Sequence, residues 1–219
     1  MYILPIPKPL EPTRIYAGCI AEYENIWPNA EEIIEGIEKE VNTNPDVQFE
    51  RAKVFPNNED TVDPSTQIVS KHRTNSHLGL NLVGGSGKSE FMRELSNKFF
   101  LSTIAASEGY RAKFHIYEPA FFVEGFNLLR YEGGEEYQAH YDGSTASHRS
   151  ISPILYLNDD YTGGELEFVN FDLTIKPKAG SMYVFPSNYA YAHIAHPVKT
   201  GTKYAIVTWL HDAPPPQTN

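Results

Sequence analysis

Gln138–Gly143 reads QAHYDG, a histidine and an aspartate two positions apart between an aromatic-rich run and a glycine. In an extended strand the side chains of residues i and i+2 leave the same face, so His140 and Asp142 can reach one ion together. A His-x-Asp pair alone is common by chance. Its meaning depends on whether the surrounding sequence is strand-like and whether a third ligand exists.

The surroundings are strand-like. From Lys113 onward, short runs rich in Phe, Tyr, Val and Ile alternate with Gly, Pro, Asn and Asp: FHIYEPAFFVEGFNLLRY, ISPILYL, GELEFVNFDLTIKP, SMYVF, YAHIAHPV and KYAIVTWL. This texture predicts an antiparallel sandwich, jelly roll or barrel. Earlier in the chain, Asn29–Val41 carries Ile33, Ile34, Ile37 and Val41 at helical spacing, with acidic residues in its first turn. A second helix is predicted from Ser89 to Ser107, with Phe91, Met92, Leu95, Phe99, Phe100 and Ile104 on one wide apolar face behind a serine cap. Both helices are expected to cover a sheet. Between them, Asn44–Gln67 is polar and proline-punctuated and reads as a long loop of the kind that often serves as a lid. The expectation is a mainly β chain with flanking helices, one domain over 1–219, with a helical and loop part over 1–112 and the β core at about 113–212.

Composition narrows the function. With 41% hydrophobic and 13% aromatic residues, the chain can bury one sizeable core. Its 28 acidic and 18 basic residues give a net charge of -10, the wrong sign for neutralising phosphates, so no nucleic-acid partner is expected. Cys19 is the single cysteine, which excludes an intrachain disulfide and a cysteine-based zinc site and fits a reducing compartment. No basic leader precedes the proline-interrupted start, and no apolar run approaches membrane-spanning length, so a soluble, cytoplasmic protein without a membrane partner is expected. The run LVGGSGKSE looks like a phosphate-cradling loop, but the pattern needs a glycine where Leu82 stands. It reads as a glycine-rich turn.

A third ligand can come from YAHIAHPVKTGTKYAIVTWL, which offers both His193 and His196. Spacing does not choose between them. Two histidines and a carboxylate with open positions suit non-haem Fe(II). Lys203 lies in the following strand-like run, where a buried ammonium is costly unless a carboxylate pairs with it. By alternation, Ala205, Val207 and Trp209 share its face.

These residues resemble those of the 2-oxoglutarate and Fe(II)-dependent dioxygenases, specifically the prolyl 4-hydroxylase type. LLRYEGGEEYQAHYDG matches that family's Y-x-x-G-x-x-Y-x-x-H-x-D stretch, and HIAHPVKTGTK matches its H-x-x-x-P-V-x-x-G-x-K/R element. SKHRTNSHLGL is similar to the family's R-T-S stretch near a mobile loop. The resemblance implies a double-stranded β-helix, or jelly roll, with His140, Asp142 and His193 as iron ligands and His196 outside the ligand set. It implies that Tyr131 and Lys203 hold the distal carboxylate of 2-oxoglutarate, that Trp209 lines the same pocket, and that Leu166, in GGELEF, stands near the co-substrate where many relatives carry a hydroxyl. It points to Tyr137, Arg149 and His211 around the substrate, and to no catalytic residue beyond the metal centre. The implied cofactors are Fe(II), 2-oxoglutarate and O2, with ascorbate as a supporting reductant. Asp142 stands where halogenating relatives have a small residue, which implies hydroxylation. The implied reaction is hydroxylation of a prolyl residue in a peptide or protein, with release of succinate and CO2. The alternatives are a hydroxylase of a free amino acid or another side chain, or a non-catalytic metal-binding jelly-roll module.

Overall fold

The computed structural model describes residues 7–54, 68–80, 89–117, 122–143 and 148–212. In chain order these form β1 (Arg14–Tyr16), β2 (Ile20–Tyr23), α1 (Ala30–Thr43), β3 (Glu50–Arg51), β4 (Lys53–Val54), β5 (Ile68–Val69), β6 (Ser76–Leu80) and α2 (Glu90–Lys113). There follow β7 (Phe122–Val123), β8 (Phe126–Tyr131), β9 (Tyr137–His140), β10 (Arg149–Tyr156), β11 (Thr162–Gly163), β12 (Leu166–Phe168), β13 (Leu173–Ile175), β14 (Met182–Pro186), β15 (His193–Ala195), β16 (Val198–Thr200), β17 (Lys203–Val207) and β18 (Leu210–His211).

Two antiparallel sheets carry the architecture. The major, ten-stranded sheet runs β1-β2-β14-β10-β17-β8-β6-β3, with β18 and β7 joined beside β10. The minor, four-stranded sheet runs β13-β12-β15-β9. Alternation in the major sheet sorts its residues into two layers. One face sends Leu128, Ile206, Leu155 and Val184 toward Ile37 of α1 and Leu95, Phe99 and Tyr110 of α2, forming the main apolar core. The other face carries Leu129, Tyr131, Lys203, Ala205 and Val207, which pack with side chains of the minor-sheet layer. This is a jelly roll, one of the three architectures that the strand texture allows and the one that the family resemblance implies, with helices on one side of it.

The helices match their expected faces, and the Ser89 hydroxyl accepts from the Met92 amide as a cap. α2 runs past Ser107, where the predicted helix ends, to Lys113, and Gly109 in that added stretch does not terminate it. Gly109 is instead a point of close approach: a β-carbon there would stand 1.6 Å from the carbonyl oxygen of Leu10. The same N-terminal segment is tied down by the Leu10 amide, which donates to the Ala105 carbonyl at 2.9 Å. Among the described residues no helix is long and apolar enough to cross a membrane.

The first 112 residues, expected to be helix and loop, also supply strands. β1, β2, β6 and β3 extend the major sheet at both edges. β2 carries Glu22, a charge that obscures the strand pattern, yet it is buried because the Tyr183 and Tyr16 hydroxyls both donate to its carboxylate. Within the expected loop Asn44–Gln67, β3 pairs with β6 and β4 pairs with β5. Residues 55–67, the glycine-rich turn before α2 and the proline run at 214–216 lie outside the described residues.

Candidate metal centre

His140 ends β9 and His193 begins β15, neighbouring strands of the minor sheet in which the two residues are direct Cα partners. Their rings are therefore side by side, with centroids 4.3 Å apart. Asp142 follows β9 by two residues and brings its carboxylate under both rings, with Oδ1 3.7 Å from His140 Nε2 and Oδ2 3.9 Å from His193 Nε2. One donor atom from each of the three lies within 4.8 Å of the others, a group that could hold a metal ion.

The donor chemistry fits a divalent metal. Each imidazole uses Nδ1–H to donate to the carbonyl two residues earlier in sequence, His140 to Gln138 at 2.8 Å and His193 to Tyr191 at 3.0 Å. Both Nε2 lone pairs are thus presented to the same point. Burial, followed by the neighbouring His193, pushes the His140 pKa well below that of an ordinary imidazole. Burial works to raise the Asp142 pKa, but His193, His140, the Ser152 hydroxyl and Arg149 together hold it below the usual carboxylate range. The cluster therefore offers two imidazole nitrogens and a carboxylate on one side of a point, the facial arrangement that suits non-haem Fe(II).

His196, the other candidate ligand from the same segment, is not in this cluster. Its Nε2 lies 2.6 Å from the Glu167 carboxylate. It stands three positions after His193, an odd offset, so in extended chain it leaves the opposite side.

Lys203 is 1% exposed on the inner face of the major sheet. Its ammonium donates to the Gly164 carbonyl at 3.2 Å and lies 4.1 Å from the centroid of the Tyr131 ring, Tyr131 being its direct partner across β17 and β8. Among the described residues it has no carboxylate partner. Burial, and then the nearby Lys176, lowers its pKa to about 7. Gly164 can present its carbonyl because Gly163 and Gly164 turn with φ of +72 and +67, and a β-carbon at Gly163 would meet the Pro197 oxygen at 2.3 Å.

Tyr131 and Trp209 pack in one apolar cluster with Val207 and Tyr161. Leu166 is buried in the adjoining cluster, with Tyr156, Phe168, Phe185 and Ala205. Tyr156 was not singled out from the sequence. Its Cα partner is Ala205, which puts its phenol on the Lys203 face, where burial, then Tyr161 and Tyr131, raise its pKa. The alternation of ISPILY was the signal that could have found it.

Three residues expected around a substrate occupy defined places. The Tyr137 ring stacks on His140 at 3.4 Å between centroids and 12° between planes, and the Arg73 guanidinium stands 4.9 Å from the same ring. Arg149 and His211, direct partners between β10 and β18, both engage Glu124. Arg149 donates to its two carboxylate oxygens at 2.6 and 2.7 Å, and His211 Nε2 lies 2.6 Å from one of them. Arg149 also donates to the main-chain carbonyl of Asp142 at 3.3 Å and lies 3.7 Å from the Trp209 ring centroid. Glu124 had no sequence signal, because a single glutamate between two aromatic runs carries no spacing to read.

Residues 126–211 match the 2OG-Fe(II) oxygenase superfamily. A probable prolyl 4-hydroxylase 9 of Arabidopsis thaliana is 32% identical over 123 residues, which are 43% of this chain and 43% of that protein. The chain thus spans less than half the length of this relative. Among solved structures, a prolyl hydroxylase from Trichoplax adhaerens, in complex with a hypoxia inducible factor oxygen degradation domain peptide fragment, superposes with a TM-score of 0.66 at 17% identity, covering 90% of this chain and 84% of that one. A Pseudomonas putida prolyl-4-hydroxylase gives 0.63 at 15% identity, covering 90% of this chain and 95% of that one. At these identities the superpositions establish the jelly-roll fold, and the superfamily match spans residues 126–211 of it.

Proposed function

We propose that this chain, with a core of the 2OG-Fe(II) oxygenase type, is a 2-oxoglutarate- and Fe(II)-dependent dioxygenase that hydroxylates prolyl residues in a peptide or protein and releases succinate and CO2. The observation that carries the reading is the convergence of two imidazoles and a carboxylate in a fold that also buries a lysine with no carboxylate partner among the described residues. A metal-binding module without turnover has no use for that lysine, and neither does a hydrolytic zinc site.

His140, Asp142 and His193 would hold Fe(II), which supplies the O2 chemistry when bound, with ascorbate as a reductant that maintains it. The Lys203 ammonium would pair with the distal carboxylate of 2-oxoglutarate, with Tyr131 and Tyr156 donating hydroxyls and with Trp209 and Leu166 closing the slot. Pairing returns the charge to Lys203 and offsets the cost of burying it. Tyr137, plated against His140, forms one wall of the substrate approach, with Arg149 and His211 on another. Glu124 already neutralises Arg149, so among the described residues the Arg149 guanidinium is not left unpaired for the carboxylate of a free amino acid. A peptide, whose backbone is neutral, fits it better. The Trichoplax adhaerens structure holds a peptide, which supports the same class. The single cysteine fits a reducing, cytoplasmic setting in which ferrous iron persists.

The test is direct. Purified protein with Fe(II), 2-oxoglutarate, ascorbate and air should form succinate, and zinc in place of iron should give none. A proline-containing peptide array should then acquire +16 Da products. Absence of succinate under all peptides would overturn the reading.

A further inference from the structure

Asp142 is the one candidate ligand whose side chain is tied to the major sheet. His140 and His193 hang from the minor sheet, and their Nδ1 atoms bond to carbonyls of their own strand segments. The main chain at Asp142 is fixed twice, by Arg149 donating to its carbonyl at 3.3 Å and by the Gly143 amide donating to the Ser187 carbonyl at 2.7 Å. What those bonds leave undetermined is the rotation of the carboxylate about its own axis. The Ser152 hydroxyl, on β10, donates to Asp142 Oδ2 at 2.7 Å, and the Ser187 hydroxyl lies 2.7 Å behind that of Ser152. Both serines are 1% exposed.

A hydroxyl has one proton to donate. The Ser152 proton is given to Asp142 Oδ2, so the bond between the two serines can run only from Ser187 to Ser152. The order of the relay is therefore Ser187 to Ser152 to Asp142. A hydroxyl that itself accepts a hydrogen bond is a better donor, and this one is aimed at a charged acceptor.

Resting on the metal-binding reading above, we propose that Ser152, backed by Ser187, is a positioning residue for the metal site. It engages Oδ2 and would leave Oδ1 as the oxygen free to hold an ion, so Asp142 would contribute one donor atom. Without it the carboxylate can turn and chelate through both oxygens, or lose part of its hold on the ion.

Anaerobic titration of the metal-free full chain with Co(II), followed by visible absorption, separates the outcomes. Ser152→Ala should weaken Co(II) binding by about 10- to 100-fold, the usual effect of losing an outer partner of a metal ligand, and should change the d–d spectrum of whatever complex forms. Ser152→Thr, which keeps the hydroxyl, should restore the wild-type spectrum, and Ser187→Ala should give a smaller loss in the same direction. If Ser152→Ala does not fold, the Ser187→Ala titration carries the test. Wild-type affinity and spectrum in the alanine variants would overturn this proposal alone. Failure of the wild type to bind Co(II) would overturn the metal reading and this proposal with it.

Discussion

Lys203 and Tyr131 are direct partners across β17 and β8, and the lysine ammonium sits 4.1 Å from the centre of the tyrosine ring. A π face and a single carbonyl are weak compensation for a buried charge, and the Lys203 pKa falls to about 7. Binding of a dicarboxylate at this position must raise it again. Binding of 2-oxoglutarate should therefore be tightest below about pH 7, where Lys203 is already charged, and should weaken as pH rises through its free-protein pKa because a proton must be taken up. Calorimetry at alkaline pH in buffers of different ionisation enthalpy should register uptake of about one proton. Binding with no proton uptake would contradict this.

The sign for stability without ligand is the reverse of the usual lysine case, in which a partner raises the pKa. Between the folded-state pKa of about 7 and the ordinary lysine value of 10.5, the unfolded chain binds more protons than the folded one. The contribution of Lys203 to stability is therefore least favourable below about pH 7 and improves as pH rises toward 10.5. Comparing urea midpoints of wild type and Lys203→Met across this window isolates the effect, and the gap between the two proteins should narrow with rising pH.

Replacing His140, Asp142 or His193 by Ala should abolish metal binding and 2-oxoglutarate turnover, whereas His196→Ala should retain both, because His196 is engaged with Glu167. Equilibrium dialysis with Co(II) and a succinate assay provide the two measurements. Loss of binding in His196→Ala with retention in His193→Ala would reverse the ligand assignment.

Glu124→Gln should keep the fold but lower turnover with a peptide. The amide cannot balance Arg149 and His211 together, and a change that unpairs a buried charge commonly costs about 3–5 kcal/mol when no solvent reaches it. Here Arg149 is partly exposed, so the effect on stability should be smaller and the effect on the substrate KM larger. A variant with wild-type KM would argue against a role at the substrate wall.

Gly109→Ala tests the packing of the N-terminal segment. Helix propensity alone favours alanine by about 1 kcal/mol, yet the new methyl would meet Leu10 backbone at 1.6 Å and force that segment off α2. Thermal unfolding should show net destabilisation of about 1–3 kcal/mol, the range typical of overpacking.

Much of the fold was legible from the sequence because two periodicities are clean. The 3.6-residue spacing of Ile33, Ile37 and Val41 and the two-residue spacing of Lys203, Ala205 and Val207 each match the observed faces. The strands of the N-terminal part were harder to see. β2 buries Glu22 among tyrosine hydroxyls, β3 and β4 are two residues each, and none of these shows an alternation long enough to read. In the site, His140 and Asp142 were visible from their i, i+2 spacing. The choice of His193 over His196 needed the family pattern, since both lie in one segment. Glu124, Ser152 and Ser187 were invisible because their roles arise from cross-strand neighbours, and nothing in a linear string marks which serine will lie beneath a carboxylate.

Because the two imidazoles and the carboxylate are anchored in different layers of the sandwich, an ion bound between them is also a reversible cross-link. Free metal at 100 times its dissociation constant would add about 2.7 kcal/mol to the stability of the folded chain. Chelation should therefore lower the melting temperature and speed amide exchange in β9 and β15, so metal supply would set the rigidity of the sandwich as well as fill the site.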